Sequence, residues 1–189
     1  MKINVNELKP GYIIEYKGKL WALVKGDHVK PGKGPAYLQA ELKAIPEGTK
    51  LNQRFNTSET VDNVELDQAD HQFLYAEGED QLVFMNQETF EQITLSKAII
   101  GEGVVFLQEG MVVKVKSHDG QPLIVVLPDK VTCTIVEADP VVKGQTAASS
   151  YKHAILDNGL RVLVPPHVES GTRIVVNTAD GAYIERAKA

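Results

Sequence analysis

A single cysteine, Cys133, occurs in the 189 residues. No internal disulfide can form, no zinc site can be built from cysteine, and a reducing cytosol is the expected compartment. Cys133 lies in the alternation Val131-Thr132-Cys133-Thr134-Ile135-Val136 and reads as a small buried hydrophobe rather than a nucleophile. No apolar run approaches the ~18 residues of a membrane span. The start, Met1-Lys2-Ile3-Asn4-Val5-Asn6-Glu7, has neither the apolar centre nor the cleavage site of a signal peptide. A soluble chain with no membrane partner is expected. The histidines His28, His71, His118, His153 and His167 are scattered without metal-ligand spacing. No Ser/His/Asp or Cys/His grouping is visible, so neither a metal nor a catalytic residue is expected. Helical periodicity is confined to Leu95 to Ile100.

The charge balance is −5 overall but uneven. Residues 1–64 hold ten Lys/Arg and seven Asp/Glu, residues 65–127 three and eleven, and residues 128–189 seven and seven. The acid sits in the middle third, which phosphate would be repelled by, so contact with RNA is expected at the two ends.

Strand signals fill the remainder: Tyr12 to Tyr16, Phe73 to Tyr75, Gln81 to Met85, Val104 to Leu107, Met111 to Val115, Leu123 to Leu127, Arg161 to Val164 and Arg173 to Val176. Glu77-Gly78-Glu79-Asp80, His118-Asp119-Gly120, Asp157-Asn158-Gly159 and Ala179-Asp180-Gly181 punctuate them as hairpin turns. Glu59 to Leu66 passes from basic to acidic sequence, and Pro128 interrupts two strong strands. The expectation is an all-β chain of three small barrels over residues 1–64, 65–127 and 128–189. Modules this small bury only ~60% of their unfolded surface, so contacts between them matter. The second and third have similar runs of short strands, consistent with a duplicated fold.

One turn stands out. In Lys30-Pro31-Gly32-Lys33-Gly34-Pro35 a lone lysine sits between two glycines, between Leu20-Trp21-Ala22-Leu23-Val24 and the period-two run Ala36, Leu38, Ala40, Leu42. This predicts a β-hairpin whose slim tip carries one amine. Lysine in such a turn is ordinarily solvated surface charge. A phosphate-binding P-loop is refused by spacing: five residues separate Gly26 from Gly32, Gly34 stands where Ser or Thr should be, and strand rather than helix follows.

Several separated motifs together resemble the bacterial elongation factor P family over the whole length. They are Lys30-Pro31-Gly32-Lys33-Gly34 with Lys43 and Arg54-Phe55; Asp70-His71-Gln72-Phe73-Leu74-Tyr75, Glu91-Gln92-Ile93 and Phe106 to Met111; and Asp139 to Ala147, Lys152-His153-Ala154, Val164-Pro165-Pro166, Glu169-Ser170-Gly171 and Asp180 to Arg186. The resemblance implies a KOW-type SH3-like barrel followed by two OB barrels in an L-shaped, tRNA-like arrangement. It implies a monomeric, non-enzymatic cytoplasmic factor, without a cofactor, that binds the 70S ribosome and its rRNA beside the peptidyl-tRNA and relieves stalling at consecutive prolines. It places Lys33 near the peptidyl transferase centre beside the tRNA CCA end, on a tip formed by Lys30, Pro31, Gly32 and Gly34. It makes Lys33 a site for a β-lysyl extension added by a synthetase-like enzyme. Tyr183 and Arg186 match family residues that contact peptidyl-tRNA. Gly144, Gln145, Thr146 and Ala147 match the loop that approaches the messenger codon in the exit site. Pro35, Tyr37 and Gln145 depart from the residues most frequent in the family, and Pro35 implies a stiffer tip.

Two other classes fit less well. A general single-stranded nucleic-acid chaperone would stack bases on aromatic, basic OB surfaces, which the acidic middle third and the 6% aromatic content oppose. An enzyme would need a convergent set of groups that the chain does not present.

Overall fold

A computed structural model of the chain describes residues 1–141 and 150–188. The candidate codon-loop residues Gly144, Gln145, Thr146 and Ala147 lie outside the described residues. By compactness the chain divides into two units, residues 1–69 with 115–125, and residues 70–114 with 126–189.

Six strands form the first sheet: β1 (Lys2–Asn4), β2 (Ile13–Tyr16), β3 (Lys19–Val29), β4 (Tyr37–Ile45), β5 (Lys50–Asn56) and β6 (Thr60–Val64), in the order β1-β6-β2-β3-β4-β5. In β4 the pattern is strict: Leu38, Ala40, Leu42 and Ala44 are buried, while the residues between them stay at least partly in water. That alternation is what a one-sided antiparallel sheet requires. Val5, Ile14, Trp21, Leu23 and Phe55 complete its core. Tyr16 meets Phe55 edge-on at 5.4 Å, and the Trp21 indole donates to Tyr16 O at 2.9 Å.

A second sheet comprises β7 (Asp67–Glu77), β8 (Gln81–Asn86), β9 (Gln92–Ser96), β10 (Val112–His118) and β11 (Gln121–Val126), in the order β11-β10-β7-β8-β9. The third comprises β12 (Lys130–Ala138), β13 (Lys152–Leu156), β14 (Arg161–Val164), β15 (Arg173–Asn177) and β16 (Tyr183–Arg186), in the order β14-β13-β12-β15-β16. Counted within each sheet, the strand order is the same. The likeness reaches individual bonds. In the second, Phe73 N donates to Met111 O and Gly110 N to Phe73 O, both at 2.8 Å; in the third, Ile135 N donates to Thr172 O at 2.9 Å and Gly171 N to Ile135 O at 2.7 Å. Gly110 and Gly171 hold φ of +84 and +88, which only glycine adopts freely. Just past each clasp the first strand carries an extra residue, Leu74 or Val136, a matching bulge. These paired details are those of a duplicated fold.

Three local expectations change. Val104 to Leu107 is not a strand: a one-turn helix α1 (Lys97–Ile100) runs into a 3₁₀ helix over Gly101–Phe106. Phe106 is buried instead with Val131, Ile135, Leu156, Val164 and Ile174 of the third sheet's core. A short apolar run reads alike whether it pairs or packs. Neighbouring bonds hold the same docking, Gln108 Nε2 to Thr132 O at 2.8 Å and Asn158 Nδ2 to Val105 O at 3.1 Å. Next, Leu95 and Ser96 end β9 rather than begin a helix, Ser96 Oγ capping α1 through Ala98 N. Finally, the segment read as a charge junction at Glu59 to Leu66 contains β6, inserted between β1 and β2.

Candidate functional site

The hairpin forms as the alternation predicts, pairing continuously from Leu20↔Ile45 to Val29↔Tyr37 and leaving residues 30–36 as the tip. Its two halves differ. Between Leu23↔Leu42 and Lys25↔Glu41 the strand β3 carries one extra residue, Val24. Without that bulge Lys25 and Asp27 would stand opposite Ala40 and Leu38; with it, Gly26 faces Ala40 and His28 faces Leu38. Gly26 is constrained by contact: a Cβ there would stand 3.2 Å from Leu38 Cδ1. Beyond the bulge Lys25, Asp27, His28 and Lys30 are exposed, so the outer half of β3 runs into solvent as an arm.

At the end of the arm Lys33 is exposed, with Gly32, Gly34 and Pro35 exposed around it and Pro31 half-buried. The two glycines are not equivalent. Gly34 has φ +102, so the turn needs glycine there for its backbone conformation, since a Cβ would stand 4.0 Å from Pro31 Cγ, an ordinary contact. Gly32 has no such φ and open space about it; its contribution is bareness. The foot of the tip is tied down, because Ala36 O accepts from Thr57 N at 3.3 Å and Thr57 Oγ1 at 3.4 Å. Thr57 O in turn accepts from the side-chain amides of Asn4 at 3.0 Å and Asn6 at 3.2 Å.

Charge is distributed unevenly along this arm. Lys25 Nζ lies 3.7 Å from Asp27 Oδ2, and Glu41 stands across the hairpin from Lys25. Lys30 and Lys33 make no ion pair among the described residues. On the face shared by Tyr37 and Gln39, the Arg54 guanidinium stacks 4.0 Å from the Tyr37 ring centroid. Its N–H groups make no hydrogen bond among the described residues, leaving a flat cation beside the tip's foot. From sequence, Arg54 reads either as a contact to rRNA or tRNA or, as is more usual for a cation beside an aromatic in a strand, as part of a solvated face. The 16 residues between Tyr37 and Arg54 conceal the stack, which only strand register creates.

The other candidate pair lies on β16, the edge strand of the third sheet. Residues three apart on a regular strand face opposite ways. Here Val176 pairs with Tyr183 and Ile174 with Arg186, Ile184 being the extra residue between. Since Ile174 and Val176 both face the core, the bulge brings Tyr183 and Arg186 onto one face. Tyr183 packs half-buried against that core with its hydroxyl in no hydrogen bond among the described residues, and Arg186 is exposed. Packing and ligand contact are thus compatible for Tyr183, whose ring is fixed and whose polar end is free.

Cys133 is buried at 2% exposure, and burial, with the Asp157 charge adding to it, pushes its thiol up to about 11. It is protonated at neutral pH and unsuited to nucleophilic chemistry. Among the described residues no three His, Cys, Asp or Glu side chains are grouped to hold a metal ion. His71 is buried on β7 across from Asn86. Among the described residues no helix is long and apolar enough to cross a membrane.

Comparison with known proteins agrees with the geometry. Residues 4–61 match the family model described as the elongation factor P KOW-like domain, residues 66–125 the elongation factor P OB domain, and residues 131–186 elongation factor P, C-terminal. The chain is 57% identical over 188 residues to elongation factor P of Rhodospirillum centenum, with 100% of each chain covered. It is 56% identical over 187 residues to that of Sphingopyxis alaskensis, covering 99% of this chain and 100% of the relative. Among solved structures, translation initiation factor 5A from Methanococcus jannaschii aligns with a TM-score of 0.55 at 29% identity, over 67% of this chain and 94% of that one. The three sheets, the lysine-tipped arm and this full-length identity lead to one conclusion: the chain belongs to the elongation factor P family of translation elongation factors.

Proposed function

We propose that the chain acts on the ribosome next to the peptidyl-tRNA, without catalysing covalent chemistry, and restores peptide-bond formation where consecutive prolines stall it. The observation that carries this reading is Lys33: an exposed amine with no ion pair among the described residues, on a bare tip at the end of the β3–β4 hairpin, which β5 flanks as far as Tyr37. Proline's ring restricts the backbone, so a peptidyl-prolyl end spends little time in attack geometry. An amine donating to phosphate and sugar oxygens of the CCA end would hold it there. Each tenfold gain in rate needs only ~1.4 kcal/mol of such positioning. Lys33 suits this as a compact charge with three donors, and its exposure suits a β-lysyl extension by a synthetase-like enzyme. Lys30 adds charge beside it; Pro31, Gly32 and Gly34 keep the tip slim. Tyr183 and Arg186, brought to one face of β16, would stack and grip tRNA. Residues 144–147 would meet the codon in the exit site.

The test is Lys33→Ala in reconstituted translation of a polyproline message. Ribosome binding and fold should persist while rescue is lost; full rescue by the variant would sink the proposal. Intact mass of protein from its own host reports whether Lys33 is extended.

A further inference from the structure

Phe90 carries two costs, one in backbone conformation and one in exposure. It closes the loop between β8 and β9 with φ +62, a left-handed conformation in which a bulky residue is an outlier and Gly or Asn the ordinary occupant. Its side chain is also 68% exposed. The loop does not need phenylalanine, because Asn86 builds it. Asn86 Oδ1 accepts from Glu88 N at 2.8 Å and Thr89 N at 3.1 Å, and Asn86 O accepts from Phe90 N at 2.9 Å. Gln87 N donates to Asp70 O at 3.0 Å, so the ring is presented from a loop tied to β7. An exposed aromatic held in a strained conformation on a braced loop directs attention to an external partner.

The surrounding charge selects that partner. Asp70, Glu88 and Glu91 are exposed and in no ion pair among the described residues. No Lys or Arg occurs in the sequence between Arg54 and Lys97, and in space Lys114 lines the same hollow as Asp70, which leaves Glu88 and Glu91 as the acids flanking Phe90 along the loop. Carboxylates on the loop that presents the ring repel phosphate, which disfavours RNA, and complement a Lys/Arg-rich protein surface. We infer that the β8–β9 loop docks on a basic protein surface, Phe90 entering an apolar socket and Glu88 and Glu91 meeting the cations around it. This rests on the ribosome-binding reading above, and the partner is accordingly a basic protein component of the ribosome.

The full chain with p-benzoylphenylalanine in place of Phe90 is irradiated on purified 70S ribosomes, and the affinities of Phe90→Asn and of Glu88→Lys/Glu91→Lys are measured in parallel. Expected are an adduct sensitive to protease and resistant to ribonuclease, and binding about tenfold weaker for both variants. Their melting temperatures should equal or exceed that of the unsubstituted chain, since Asn accepts the left-handed conformation and both glutamates are exposed. An adduct to rRNA, or unchanged affinity of both variants while the unsubstituted chain binds, overturns this inference alone. A melting temperature more than about 4 °C lower for Phe90→Asn, with the charge reversal binding normally, makes Phe90 a structural residue and overturns it too. Failure of the unsubstituted chain to bind ribosomes overturns both readings.

Discussion

Gly32 and Gly34 flank Lys33 symmetrically in sequence but are held by different physics. Gly34 occupies φ +102, so Gly34→Ala forces a Cβ into a left-handed turn and should cost about 1–2 kcal/mol. Gly32 has neither that φ nor a neighbour within 4 Å of a Cβ, so Gly32→Ala should leave stability within about 0.5 kcal/mol. Denaturant midpoints of the two variants check the contrast, and equal losses would contradict it. In the rescue assay Gly32→Ala then isolates the effect of tip width, because the fold is untouched. Arg54 and Phe90 make the complementary point. One is a cation that strand register places on an aromatic ring, the other an aromatic that a turn leaves in water, and each takes its meaning from neighbours distant in sequence or from a torsion angle.

At the scale of single strands, alternation was the readable signal, and β12 shows both its success and its limit. Val131, Cys133 and Ile135 are buried in turn as their spacing predicts, but the bulge at Val136 ends the pattern and leaves that valine 55% exposed. The buried thiol gives a prediction with a definite sign. Its folded pKa rises from the ordinary 9.0 to about 11, so it contributes stability that is fully present below about pH 9 and is lost as pH rises through about 11. At pH 8 a disulfide reagent should leave Cys133 untouched until the chain is unfolded; rapid titration of the native protein would refute its burial. Bulges were the systematic blind spot. Those at Val24, Leu74, Val136 and Ile184 have no compositional mark, yet two of them decide which face the site residues share. Strand β6 was hidden for another reason: Asp62 and Asn63 depress strand propensity, and pairing on both sides overrides it.

For the whole chain, the separated motifs made the family and the lysine-tipped arm legible before any coordinates. The docking of Phe106 was not, because a residue that completes another module's core looks like one more apolar residue in its own. Burial at 4% among Val131, Ile135 and Val164 makes Phe106→Ala a core truncation costing about 3–5 kcal/mol. The measurement is the thermal midpoint, and a loss below about 1 kcal/mol would show that Phe106 is not part of that core. The charge distribution also reads differently in three dimensions. The acidic middle third includes Glu88 and Glu91 flanking a projecting phenylalanine, so it has a surface suited to cations as well as one that avoids phosphate.

The paired arm of β3 and β4 also limits how such a protein can change its reach. Each added cross-strand pair lengthens the arm by about 3.4 Å and turns the tip to the opposite face, so inserts that preserve its orientation come in steps of about 7 Å. A lysine side chain is itself of about that length. Insertion in the paired part cannot move Lys33 by an ångström or two, so finer tuning of its span falls to the unpaired tip, residues 30–36, and to the side chain that stands on it.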